Sequence, residues 1–218
     1  MTDPADTSAA RRPGRPSLLT REQVARAAYA LVEAEGVGAL TMARLARELG
    51  VGPMTLYGYA ESKDAIVAML ADLLLEDLEP VDPGRAWAEV LEDVFLGIYR
   101  RFVSHGNVTQ ALTHTPTFGP AQTDIIEGVL DTLDRAGFAA EDAFELQRTL
   151  ATYTFGFAIF AIAETQAGPA SPRSAYAATH DTEHDPAGHP HLARASPLFG
   201  AAVDEQQYLR GLRRILRS

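Results

Sequence analysis

The 218 residues, 46% hydrophobic and 22% charged, suffice for one or two globular domains with a substantial core, and the absence of cysteine excludes disulfides and thiolate metal sites. A formal net charge of −10 argues at first against a nucleic-acid partner, but the acid is unevenly spread. Residues 1–63 hold eight Lys and Arg against seven Asp and Glu, whereas residues 64–218 hold eleven against twenty-two; from residue 11 to 63 the ratio is eight to five. A phosphate backbone needs only a local basic face, which the first part can supply while the acidic remainder keeps the molecule soluble.

Residues 1–19, rich in Pro, Ala, Arg and Ser, show no apolar period and read as a disordered basic arm. They lack the apolar core of a signal peptide, and the most apolar run, residues 150–163, is too short to span a bilayer, so a cytoplasmic protein without membrane contact is expected. Thr20 and Gln23 form a capping box for a first helix whose buried face is Val24, Ala27, Ala28, Leu31 and Val32, ending at Gly36 and Gly38. A second, short helix follows Thr41 with Met42, Leu45, Ala46 and Leu49 on one face, and Gly50 supplies a positive φ at its end. Pro53 suits the first turn of a third helix over residues 53–59. Ser62 caps a fourth, with Ile66, Met69, Leu70, Leu73 and Leu74 apolar, which runs to a break at residues 79–84.

Beyond the break the period stays helical. Trp87, Val90, Leu91, Val94, Phe95, Ile98 and Phe102 mark one long element, Ile125, Ile126, Val129, Leu130 and Leu133 another, and residues 141–166 a third. Residues 168–190, with Pro, Gly, His and acids, read as a loop, and an Arg-rich helix with Leu209, Leu212 and Leu216 on one face closes the chain. The expected fold is all-α: a helix-turn-helix domain of three-helix, homeodomain-like character at 20–79, then a helical ligand-sensing and dimerisation domain at 84–218.

The stretch from Thr41 to Lys63 carries the chemistry. Two short helices joined by a Gly-containing turn can lay the second in a DNA major groove. Thr41 and Lys63 suit phosphates, and Tyr57 and Tyr59 can pack on sugars or thymine methyls while their hydroxyls reach phosphate oxygens. As a plain small bundle, the same helices would place Leu56 and Tyr57 in the core. Arg11, Arg12 and Arg15 of the arm either enter an adjacent minor groove or remain solvated.

Through Leu40-Thr41, Leu45-Ala46, Leu49-Gly50-Val51, Thr55-Leu56-Tyr57 and Lys63, the sequence resembles the tetracycline-repressor (TetR) family of bacterial regulators. The resemblance implies that residues 53–59 are the recognition helix, that Thr55, Tyr57, Tyr59 and Lys63 touch DNA together with Thr41, Arg44, Gly52, Pro53 and Met54, and that a homodimer binds a palindromic operator until a small molecule releases it. Ala43 and Gly58 depart from the family pattern, which leaves the operator sequence open. A weaker likeness to the tetracycline repressor's own sensor domain runs through Gly137-Phe138, Glu141-Asp142-Ala143 and Thr154-Phe155-Gly156, placing His114 and Thr117 near its magnesium-tetracycline region. Phe160 falls where an acidic ligand residue would be, which weighs against a metal-chelated drug.

A small, largely apolar ligand is therefore expected, with Trp87, Phe95, Phe102, Phe118, Tyr153 and Phe157 as candidate contacts and His105, His114 and Thr117 as polar ones; core packing is the alternative for each aromatic. Residues 141–166 and 203–216 are the expected dimer interface, with Ala151, Gly156, Ala158 and Ala161 permitting close approach. His180, His184, His189 and His191 with Asp181, Glu183 and Asp185 would be the residues of a rival metal-dependent hydrolase, but no nucleophile elbow, phosphate loop or zinc-helix motif accompanies them, so no enzyme, cofactor or metal is expected. A ligand-independent DNA-binding activator is the remaining alternative.

Overall fold

The computed structural model describes residues 19–76, 78, 84–114, 119–168, 188–195 and 203–217, and among these every regular element is helical. Residues 1–18 of the basic arm, the break at residues 79–83, Thr117, Phe118, His180 and His184 lie outside the described residues, as does the side chain of His114. Helix α1 spans Arg21–Glu35, α2 Met42–Glu48, α3 Pro53–Tyr57 and α4 Lys63–Leu75. After them come α5 Trp87–Ser104, α6 Gly106–Ala111, α7 Pro120–Arg135, α8 Ala140–Ala167, α9 Pro190–Ala195 and α10 Glu205–Ile215.

The local signals act as their chemistry requires. Thr20 Oγ1 accepts from the Gln23 N–H at 3.1 Å while Gln23 Oε1 accepts from the Thr20 N–H at 2.8 Å, closing the expected capping box. Thr41 and Ser62 cap α2 and α4 in the same way, each accepting at 3.1 Å from the amide three residues on. Gly50, at φ 66°, turns the chain between α2 and α3, and the Val51 N–H bonds back to the Ala46 carbonyl at 2.9 Å. A side chain is strained in that left-handed conformation, so Gly50→Ala is expected to lower stability by about 1–2 kcal/mol in urea unfolding, although nothing lies within 4 Å of the added methyl.

Val24, Leu31, Leu40, Leu45, Leu56, Ile66, Leu70 and Leu74 are buried together and form the core of the first four helices. The C-terminal domain is organised by α5 packed on α8, with α7 and α10 against them. The two parts are joined through α1 on α6 and α4 on α7.

The structure departs from the sequence expectation at α3, α4, α6 and α9: α4 ends at Leu75, short of the break at residue 79, and α9 follows directly on the expected loop with no helix expected there. The third helix ends at Tyr57, not Tyr59, because Gly58 closes it and the Tyr59 and Ala60 amides both return to the Leu56 carbonyl in a final turn. Helix α6, with the 3₁₀ turn Leu112–His114 after it, was not expected: six residues starting at Gly106-Asn107 are too few to show a period and begin with breakers.

Candidate nucleic-acid interface and ligand cavity

Helix α3 has a single buried anchor. Leu56 is fully enclosed, as core packing requires, while Gly52, Pro53, Met54, Thr55, Tyr57 and Gly58 are all exposed, Met54 at 84% and Tyr57 at 46%. Met54 and Tyr57 thus lie side by side on an open edge that is accessible to a partner. Tyr59 is only partly exposed in the following turn and packs on the core.

The charged residues expected at this face are partly committed within the chain. Arg44 Nη2 pairs with Glu35 Oε1 at 2.9 Å, and Lys63 Nζ donates to the Val37 carbonyl at 2.8 Å. An ammonium retains two further donors in that position. Thr41 is exposed, with its hydroxyl turned to its own helix. Arg47, on the last turn of α2 beside the Gly50 turn, is exposed and forms no ion pair among the described residues. Sequence reasoning passed it over, although its three-residue offset from Arg44 on a helix was a readable signal.

A cavity of about 1490 Å³ opens between α1, α4, α5 and α7. Met69, Leu73, Val94, Ile125 and Val129 give it an apolar floor, and Asp72, Asp124, Arg100 and Arg101 are among its charged lining. Arg100 is spoken for by Glu205, at 2.8 Å from Nε to Oε2, which holds the Glu205 carboxyl below its ordinary range. Asp72 is different: burial pushes its carboxyl upward, against the opposing effect of one backbone N–H, that of Ala121 at 3.3 Å.

Of the described candidates, Trp87, Phe95, Phe102, His105, Tyr153 and Phe157 are all absent from the lining of this cavity. Phe95 and Phe102 are buried on another side of α5, Phe102 edge-on to Phe155 at 5.5 Å, and Trp87 meets Phe138 edge-on at 5.0 Å. Tyr153 and Phe157 join Tyr99 and Tyr208 in one aromatic cluster, with Tyr208 stacked on Tyr99 at 4.1 Å and on Tyr153 at 5.4 Å. His105 stands at the start of α6, its Nδ1 3.3 Å from Glu33 Oε1 and its ring edge-on to Tyr29. Burial, with the neighbouring Glu33 charge, pushes the Tyr29 phenol at this junction between α1 and α6 up to about 12. His189 and His191 are described, and among the described residues no three His, Asp or Glu side chains are grouped as a metal site. No described helix is long and apolar enough to cross a membrane.

Comparison with known proteins decides the relationship. Residues 25–70 match the family described as bacterial regulatory proteins, tetR family, and residues 79–217 match the tetracyclin repressor-like C-terminal domain. The chain belongs to the tetR family. Within it, the transcriptional repressor DrrR1 of Streptomyces coeruleorubidus is 35% identical over 134 residues, covering 58% of this chain and 48% of DrrR1, so the chain spans about half the length of that relative. The class D tetracycline repressor of Escherichia coli is 27% identical over 202 residues, covering 91% of this chain and 88% of the repressor. Among solved structures, the tetR-family protein ActR of Streptomyces coelicolor in complex with (S)-DNPA shares the fold at TM-score 0.80 and 23% identity, covering 92% of this chain and 96% of that one.

Against this tetR-family frame the exposed edge of α3 is the second helix of the helix-turn-helix. The outward face of α8 also becomes specific. Thr149, Thr152, Gly156, Phe160 and Ala163 are exposed in succession, Phe160 at 65%, whereas Ala158 and Ala161, expected to admit a partner, are buried in the chain's own core. The correction is one of helical phase: small residues line both sides of α8, and composition alone does not tell which side α5 covers.

Proposed function

We propose that this protein is a cytoplasmic, non-enzymatic transcriptional repressor that binds a palindromic operator as a homodimer and is released by a small molecule held in the cavity between α1, α4, α5 and α7. The observation that carries the reading is the α3 edge: six exposed residues from Gly52 to Gly58 around one anchor, Leu56, set by the Gly50 turn against the Thr41-capped α2. On this reading Met54, Thr55 and Tyr57 meet base edges and thymine methyls, Gly52 and Pro53 let the backbone approach, and Thr41, Arg44, Tyr59 and Lys63 face the phosphates with Arg47 added to them. The outward face of α8, from Thr149 to Phe160, pairs with a second copy. DrrR1 and the tetracycline repressors are named as repressors, and ActR has been solved with actinorhodin bound, which supports repression and a small-molecule occupant on this fold.

The cavity lining revises the ligand chemistry. An apolar floor edged by Asp72, Asp124 and arginines fits an amphipathic molecule better than a wholly apolar one. Binding shifts the population toward a conformation in which α4 has moved and the two recognition helices no longer match successive major grooves, about 34–36 Å apart. The test is a titration of operator duplex before and after saturation with a compound chosen because it raises the unfolding midpoint. Operator affinity is expected to fall at least fivefold; a compound that binds tightly in the cavity and leaves operator affinity unchanged would contradict the release mechanism.

A further inference from the structure

Helix α7 lacks a cap of its own. Its N-cap residue is Gly119, which has no side chain to offer, and Pro120 contributes no N–H, so the Ala121 amide is the first orphan donor. The acceptor comes from another helix: Asp72 Oδ1 of α4 receives the Ala121 N–H at 3.3 Å across 49 residues of sequence. The fit depends on Gly119, because a Cβ there would collide with the Asp72 carboxylate. Asp72 and Ala121 both line the cavity, so this hydrogen bond forms part of its wall. Asp72 also stands on the helix that follows the recognition helix directly, with Ile66, Val67, Leu70 and Leu74 of the same helix buried in the helix-turn-helix core.

Resting on the reading of this cavity as the ligand site, we propose that Asp72 is the positioning residue that couples the cavity to DNA binding: its cap on α7 holds α4 in the operator-competent position, and an occupant that displaces the carboxylate frees α4. The arrangement is two-sided. One end of the contact is rigidly packed with the DNA-reading helices, and the other is the first turn of a helix belonging to the sensor domain. A mere packing contact would not need a partly buried carboxylate, nor a glycine kept bare to receive it.

Three variants separate the possibilities. Asp72→Ala removes the cap. Gly119→Ala removes it differently, because the mobile end of Asp72 swings out to relieve the collision and no cavity is created. Asp72→Asn keeps an amide oxygen in the place of Oδ1 and is the conservative rescue. The readouts are amide exchange at the first turn of α7 and affinity for a duplex recovered by selection from a random pool, both on the full chain. Asp72→Ala and Gly119→Ala are expected to speed exchange at Ala121 about tenfold and to lower duplex affinity at least fivefold, with unfolding midpoints close to wild type. Asp72→Asn retains both properties, and the Asp72→Ala, Gly119→Ala double variant is no weaker than either single one. Duplex affinity within twofold of wild type in both cap-breaking variants overturns the proposal and leaves the functional reading standing; wild-type protein that selects no duplex overturns both. If Asp72→Ala fails to fold, Gly119→Ala alone decides.

Discussion

Thr55→Glu is expected to abolish operator binding, by roughly a hundredfold or more, while leaving the unfolding midpoint close to wild type. Thr55 is exposed in the first turn of α3, and its backbone N–H is already bonded to the Gly52 carbonyl at 2.9 Å. A glutamate there costs the fold little, since a negative side chain near a helix N-terminus is mildly favourable. At the DNA surface the same charge faces a polyanion. Juxtaposed like charges cost several kcal/mol at an interface, and each 1.4 kcal/mol is about tenfold in affinity. Electrophoretic or fluorescence titration at fixed salt, with an unfolding curve on the same sample, checks both halves. The separation is diagnostic because the adjacent Leu56→Ala should lose both together, its side chain being the anchor that fixes α3 to the core.

The second large effect is on stability and lies at Tyr208. This side chain is fully buried on α10, its hydroxyl donates to the Phe95 carbonyl of α5 at 2.9 Å, and it shares a 2.8 Å hydrogen bond with Thr154 of α8. One phenol thus ties three helices, and Tyr153, also of α8, adds a third hydrogen bond by donating to the Tyr208 carbonyl at 3.0 Å. Tyr208→Phe keeps the ring but removes both hydroxyl bonds, including that to the buried Thr154 hydroxyl, at a cost of about 1–3 kcal/mol. Tyr208→Ala removes the ring as well and is expected to cost about 3–5 kcal/mol, by analogy with other large aromatic truncations. Burial pushes the Tyr208 phenol well above its ordinary range, so the folded state holds this proton more tightly than the unfolded chain. The contribution is therefore complete below about pH 10 and is lost as pH rises beyond it. Urea unfolding from pH 8 to 11 should show stability falling above pH 10 in wild type, and a shallower fall in Tyr208→Phe.

The contrast between the two sites explains what could be read from sequence. The helix-turn-helix was legible because its signals are local: Thr20-Gln23, Thr41, Gly50, Pro53 and Ser62 each state a cap or turn within four residues, and Leu56 follows from the spacing. Which residues of α3 would be enclosed was less legible: the sequence left Leu56 and Tyr57 both open to the core, and only Leu56 is buried. The cavity was not legible, because it is made by the relative phase of four helices, and the same period that marks Phe95, Phe102 and Phe157 as buried cannot say whether they face a cavity or one another. Phe102 faces Phe155, Phe157 faces Tyr99 and Tyr208, and Phe95 is buried beside the Tyr208 hydroxyl that bonds its carbonyl. Asp72 carried no sequence signal at all, since its partner Ala121 lies 49 residues away and the enabling residue, Gly119, reads as an ordinary helix start. Lys63 shows the opposite limit: its type and position suit a phosphate, and the structure also gives it a fold role at the Val37 carbonyl.

Selection of bound duplexes from a random pool tests the central claim most directly, because it reads DNA binding, sequence preference and symmetry at once. The account predicts enrichment of a palindrome whose half-sites lie one helical turn, about 10 base pairs, or a multiple of it apart, recovered by wild type and lost with Thr55→Glu. No enrichment by wild-type protein, or the same sequences recovered equally well by Thr55→Glu, would contradict it.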